Sequence, residues 1–270
     1  MEREMRIRNY SERTISSYLS SIKKLSEYYQ LSPGKITTSQ LKSFLYFLIQ
    51  EEKASVSTIN ITISAWKILQ QDILHRSRDE IIIKRPRREK KLPAILSPQE
   101  ALMLINAPNN YKHRTLLKLA YVTGMRRNEI LHACLHDIDR QRKLIKIKGK
   151  GNKQREIPLS DELIEALIKY YHRYKPSVYI FEGNIPGKAY SASSMVNIIK
   201  KAANKSSIKK NISPHILRHS FATHMLEKGV NLKRLQLLMG HNSMKTTSVY
   251  LHLADTDKAG IPDLLKTENI

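Results

Sequence analysis

The run KRPRREKK at residues 84–91 contains six basic residues, one proline and one acid. A proline-interrupted charge run cannot enter a core, so the chain must pass through it as an exposed linker. Each side therefore has to bury its own apolar residues. The expected division is an N-terminal domain at 1–80, a basic linker at 81–96 and a second domain at 97–270. Both parts are long enough for modest cores.

The first part is patterned for helices. Ile15, Tyr18, Leu19, Ile22 and Leu25 follow helical spacing after Ser11, and Leu41, Phe44, Leu45, Leu48 and Ile49 do so after Thr38. A third segment, Ser57 to Leu74, carries Ile59, Ile63, Trp66, Leu69, Ile73 and Leu74. It is too long for a strand despite its β-branched residues. A small helical bundle follows, whose plainer but lesser alternative, taken alone, is a generic helical interaction module.

The second part opens on a Ser97-Pro98 cap followed by Ala101, Leu102, Leu104 and Ile105. A helix through Leu116, Leu117, Leu119, Ala120 and Val122 ends near Arg126. Between Lys143 and Leu159, the apolar residues Leu144, Ile145 and Ile147 precede a GKGNK tip, and Ile157 and Leu159 follow it, which predicts a hairpin. Further helices are predicted over 161–171, 193–203, 215–228 and 232–239, with Gly240 as a stop. The fold class is mainly α with a small β-sheet.

Charge narrows the partner. With 47 Lys plus Arg against 24 Asp plus Glu, the formal net charge is +23, which points to a polyanion and first to nucleic acid. No apolar run approaches the roughly 20 residues that span a bilayer, and MEREMRIRNY has no apolar signal region. A single cysteine, Cys134, permits no intramolecular disulfide and fits a reducing cytoplasm.

Between 213 and 250 the chain reads SPHILRHSFATH, then LLMGHNS, then KTTSVY. On a helix begun by Ser213 and Pro214, His215 and Arg218 share a face, while Leu217, Phe221 and Met225 fall on a stripe spaced for the core. Neither His215 nor Arg218 is then needed for packing. The planar fork of Arg218 suits two phosphate oxygens, and His215 can exchange a proton near neutral pH. His241 and Tyr250 follow closely, and upstream Arg126 and the glycine-flanked Lys150 add a second cation and a mobile acid.

Each of these has a plainer interpretation. Tyr250 is one of 13 tyrosines, and Lys150 sits among Lys146, Lys148 and Lys153, where it could be one phosphate contact of several. Glu129 could orient a cation or cap helix charge. His252 and Cys134 read as incidental, no His/Cys cluster has zinc spacing, and no phosphate-binding glycine loop appears.

In order and interval, Arg126, Lys150, His215 with Arg218, His241 and Tyr250 resemble the signature of the tyrosine recombinases, the phage integrase and Xer-like family of site-specific strand-exchange enzymes. The likeness covers nearly the whole chain, less specifically over residues 1–80, which resemble the family's SAM-like core-binding domain. It implies a two-domain, C-shaped DNA clamp. Tyr250 would be the nucleophile, forming a covalent 3′-phosphotyrosyl link. Arg126, Arg218 and His241 would hold the phosphate, His215 would assist proton removal or hold the phosphate, and Lys150 would protonate the leaving oxygen. Glu129 would be a supporting residue, and His219 and His224 structural or supporting ones.

The resemblance also turns the linker from a solvated hinge into a DNA contact through Lys84, Arg85, Arg87, Arg88, Lys90 and Lys91, with Lys148 and Lys153 as further candidates. It implies no cofactor or metal, duplex DNA with short inverted core sites as partner, and a homotetramer on two sites. A tail piece around Ile261, Leu264 and Leu265 would dock on a neighbouring subunit. A simple recombinase acting on such core sites is expected, in preference to the heterobivalent phage integrase type with an added N-terminal arm-binding domain. The task could be integration, excision, inversion or dimer resolution. Alternatives are nicking and resealing like a type IB topoisomerase, or a catalytically silent DNA-binding regulator.

Overall fold

The structure is a computed structural model, and it describes residues 1–76, 83–87, 93–149, 154–210 and 212–254. The chain forms two compact units, Met1–Lys90 and Lys91–Ile270.

The first unit is helical. Helices α1 (Glu2–Ile7), α2 (Glu12–Tyr29), α3 (Thr38–Gln50) and α4 (Val56–Lys67) follow in order. The starts are chemically marked, because Ser11, Thr37 and Ser55 each accept a backbone N–H three residues on, and Gln40 completes a capping box with Thr37. The expected third helix runs through to residue 73, but its last turn, Ile68–Ile73, is π-helical. Trp66, Phe44, Leu25, Leu41 and Ile63 fill the core, whereas Ile49 and Leu74, part of the predicted stripes, are exposed. The core also takes in Ile83. Just beyond, Arg85 donates to the Asn60 side chain and backbone and to Ser64 Oγ on α4, while Lys84 and Arg87 are exposed.

The second unit contains α5 (Pro98–Asn106), α6 (Tyr111–Thr123), α7 (Arg127–His132), strands β1 (Ile138–Asp139), β2 (Leu144–Lys148) and β3 (Gln154–Pro158), then α8 (Asp161–Tyr174), α9 (Ala192–Lys205), α10 (Pro214–Glu227), α11 (Leu232–Met239) and α12 (Met244–Thr247). A 3-10 turn, Ser248–His252, carries Tyr250. The sheet is antiparallel in the order β1-β2-β3, and the hairpin pairs Ile145 with Ile157 and Ile147 with Arg155.

Helix α10 is the central element. Ile216, Leu217, Arg218, Ser220 to His224 and Leu226 are all buried, so most of its circumference is covered. It differs from the sequence reading in two ways. Ser213 occupies the N-cap position without a side-chain cap bond, and Arg218 is only 5% exposed. The middle of α10 meets the end of α6, where Gly124 closes α6 with φ +59° and lies so close to Phe221 that a Cβ would come within 2.2 Å of the ring. A side chain there would face both the left-handed penalty and a clash.

Candidate active site

The C-terminus of α11 organises the site. Three consecutive carbonyls at its end, those of the last two residues of the helix and of the C-cap, each take a different arginine: Leu238 O accepts from Arg155 Nε at 2.8 Å, Met239 O from Arg218 Nη2 at 2.7 Å and Gly240 O from Arg126 Nη2 at 2.8 Å. The last carbonyls of a helix lack intrahelical partners and carry its negative dipole end, so they attract cations. Gly240 makes this possible by turning the chain at φ +61°, and a Cβ on it would come within 3.1 Å of the Arg155 side chain.

Arg126 is the N-cap of α7. Its backbone N–H donates to Glu129 Oε2 at 2.7 Å and its Nη1 to Glu129 Oε1 at 2.9 Å. Glu129 is held from the other side by Arg155, whose Nη1 and Nη2 reach Oε1 and Oε2 at 3.0 and 2.7 Å. Burial would raise the Glu129 carboxyl, but hydrogen bonds and charge from Arg155 and Arg126 prevail and hold it below the usual glutamate value. The Arg126 side chain stays 39% exposed, leaving donors open to a ligand.

Arg218 also donates to Gly124 O and, through Nη2, to His241 Nε2 at 2.9 Å. A guanidinium has only donors, so Nε2 accepts and the ring proton sits on Nδ1, which donates to Thr247 Oγ1 at 2.9 Å. Burial, then the charges of Arg218, Arg126 and Arg155, push His241 down to about 4. Burial likewise lowers Arg218 to about 10, which leaves it a cation at neutral pH.

Tyr250 is 4% exposed and packs in a small cluster with Phe221, Ala222, Leu235 and Met239. The His241 ring lies nearly parallel to it at 6.4 Å. Its hydroxyl is 2.9 Å from His219 Nδ1. Burial raises the phenol, offset in part by Arg218 and Arg126. Burial, then His215 and Arg218, push His219 down to about 4, so it is uncharged at neutral pH. His215, one turn before His219 with ring centroids 6.3 Å apart, is exposed at the helix start.

Of the residues singled out by sequence, Arg126, Glu129, His215, Arg218, His241 and Tyr250 thus lie in one region. Lys150 and Lys153, together with Arg88, Lys90, Lys91 and the tail containing Ile261, Leu264 and Leu265, lie outside the described residues; Lys148 is exposed on β2. His224 bonds Tyr121 at 2.8 Å in the interior. Sequence reasoning passed over Arg155, although a signal existed: it shares strand parity with the inward-facing Ile157 and Leu159, and an arginine on an inward face needs an acid. Thr247, fully buried beside His241, carried no such signal. Away from the site, Cys134, His136 and Asp137 bring ligand-type atoms within 4.8 Å of one another, a grouping that zinc-type spacing did not reveal; Asp137 already accepts the Cys134 N–H.

Comparison with known proteins agrees over both units. The phage integrase family pattern matches residues 88–257, and the phage integrase N-terminal SAM-like domain matches residues 1–80. Tyrosine recombinase XerD of Staphylococcus epidermidis is 34% identical over 266 residues, covering 90% of this chain and 89% of that protein. Among solved structures, XerH bound to a palindromic difH substrate is 25% identical with a TM-score of 0.74, covering 93% of this chain and 80% of that one. A lambda integrase dimer on a core site shares the fold at 21% identity, with a TM-score of 0.76 over 92% of each chain. With both domain patterns matched along one continuous chain, this protein belongs to the phage integrase family and is a tyrosine-type site-specific recombinase.

Proposed function

We propose that this recombinase cuts and rejoins duplex DNA at short inverted core sites through Tyr250, with Arg126 and Arg218 holding the scissile phosphate. The observation that carries this reading is a buried phenol stacked near a neutral imidazole that is itself bonded to Arg218, beside the partly open Arg126. Tyr250 Oη attacks phosphorus, a 3′-phosphotyrosyl ester forms and the 5′ oxygen leaves. Charge accumulates on the non-bridging oxygens, and preorganised guanidinium groups are what such a transfer chiefly needs. Their anchoring on α11 carbonyls supports this role, because donors held in place need no reorganisation during reaction. His241 fixes the Arg218 fork by accepting from it, and His215 at the exposed end of α10 contacts the phosphate. Lys150 protonates the departing 5′ oxygen.

One phosphoester replaces another, so the bond energy is retained in the protein link. Exchange between two sites requires cutting four strands, hence four nucleophiles and a tetramer on two sites. The net charge of +23 supports a long phosphate footprint, with Lys84, Arg87, Arg88, Lys90, Lys91, Lys148 and Lys153 along the backbone. Arg85 joins them through whichever donors Asn60 and Ser64 leave open. The task places the protein with the cell's DNA in the cytoplasm. The test is Tyr250→Phe, which should bind site DNA with near-normal affinity and form no covalent complex on a denaturing gel. An adduct persisting in this variant removes Tyr250 as nucleophile.

A further inference from the structure

We infer that His219, rather than His215, takes the proton from Tyr250 during strand cleavage and returns it during rejoining. The inference rests on Tyr250 being the nucleophile.

The geometry is direct. Tyr250 Oη must lose its proton as it bonds to phosphorus, and His219 Nδ1 stands 2.9 Å from it, within the reach a general base requires. His215, for which the resemblance implied either proton removal or a phosphate contact, makes no hydrogen bond to Tyr250 among the described residues; its ring lies a turn away, toward the exposed end of α10. His219 is also well fixed. It follows Arg218 on α10, whose neighbouring residues Arg218 and Ser220 are buried and bonded to distant backbone, Arg218 to Gly124 and Met239, and Ser220 to Leu96 N–H.

The step balances as follows. As the Oη–P bond forms, the Oη–H bond breaks and its proton passes to Nδ1, leaving an imidazolium. The P–O5′ bond breaks, and the 5′ oxygen receives a separate proton from the acid. On rejoining, the 5′ hydroxyl attacks phosphorus and returns its proton to the group that had acted as the acid, the Oη–P bond breaks, and His219 gives its proton to the departing Tyr250 oxygen. The groups around the pair are His215, Arg218, Arg126 and His241. Burial, then His215 and Arg218, disfavour an imidazolium at His219 while the site is empty. A bound phosphate, more so at the pentacoordinate stage, supplies the missing negative charge. Proton transfer is thereby tied to the presence of DNA, and Tyr250 stays protonated without it.

The test uses the full-length protein and a nicked duplex carrying a core site selected from a randomised pool, with covalent complex formation followed in single turnover. His219→Ala should slow cleavage by about 10²- to 10⁴-fold, with DNA affinity kept. Its rate should climb with pH between about 7 and 9, as phenolate replaces the lost base, while the wild-type rate levels off. Added imidazole should recover at least about tenfold. His219→Gln can still hydrogen-bond Tyr250 but cannot take a proton, and it should be as slow as the alanine variant. Near-wild-type cleavage by His219→Gln, or a slow His219→Ala with an unaltered pH profile and no imidazole response, overturns the inference in favour of a purely positioning contact. Tyr250→Phe run alongside separates the cases: an adduct there defeats the nucleophile assignment itself, whereas failure confined to the His219 variants leaves that assignment standing.

Discussion

Arg155 clasps Glu129 with both terminal nitrogens, at 3.0 and 2.7 Å, across a pair whose side chains are 11% and 9% exposed. The same Glu129 carboxylate receives the backbone and side chain of Arg126. One acid therefore ties β3 to the start of α7. The third arginine nitrogen, Nε, reaches Leu238 O, joining both to the end of α11.

Arg155→Ala should accordingly destabilise the second unit by about 3 kcal/mol, because it leaves a buried carboxylate with one cation instead of two. Arg155→Lys should recover only part of this, since an ammonium cannot repeat the two-pronged contact. Far-UV circular dichroism during chemical unfolding measures the loss. Tryptophan fluorescence would miss it, as Trp66 lies in the first unit.

Glu129 also predicts a pH dependence. Its carboxyl is held below the ordinary glutamate value when folded, so the unfolded chain binds the proton more readily. The stability it contributes is present above the unfolded value and is lost as pH falls through the folded one. The stability gap between wild type and Glu129→Gln should therefore narrow on acidification through that window. Thermal midpoints of the two proteins across the acid range check this, and a constant gap would contradict it.

Gly124→Ala should cost at least about 2 kcal/mol. A left-handed conformation at φ +59° penalises any Cβ, and this one would sit 2.2 Å from the Phe221 ring. Because Gly124 O also holds Arg218, cleavage should fall more than DNA binding. A thermal melt and a single-turnover cleavage assay measure the two effects.

Lys150→Ala should slow cleavage of ordinary DNA by about 10²- to 10⁴-fold. With sulfur replacing the bridging 5′ oxygen, the leaving group departs as a thiolate and needs little protonation, so the variant should regain much of its rate. Arg126→Ala, which loses phosphate stabilisation, should gain far less. Equal failure of Lys150→Ala on both substrates would move the acid elsewhere, with Lys148 and Lys153 next to test.

Local chemistry was legible where it acts over one or two turns. Ser11 and Ser97 mark real caps, Gly240 is a left-handed stop, and the alternation at 144–159 is a hairpin. Each depends on neighbours a few residues away, so the residue order itself carries the information. The turn holding Tyr250 is short and 3-10 and offers no comparable period. The π-helical end of the third helix is also indistinguishable from an α-helical turn by apolar spacing.

Residue types and their order therefore announced a phosphate-handling chain and its family. What they could not announce was how the charges are made tolerable and aimed. Arg218 looked like a free cation on a helix face, yet it is buried, because its partners lie at sequence separations of 94 to Gly124 and 21 to Met239. Arg126 and Arg155 find their carbonyls at separations of 114 and 83. His219 meets Tyr250 across 31 residues. Spacing along a helix tells which residues share a face, but burial, tautomer and proton acceptor depend on what packs against that face, and only the tertiary structure supplies it.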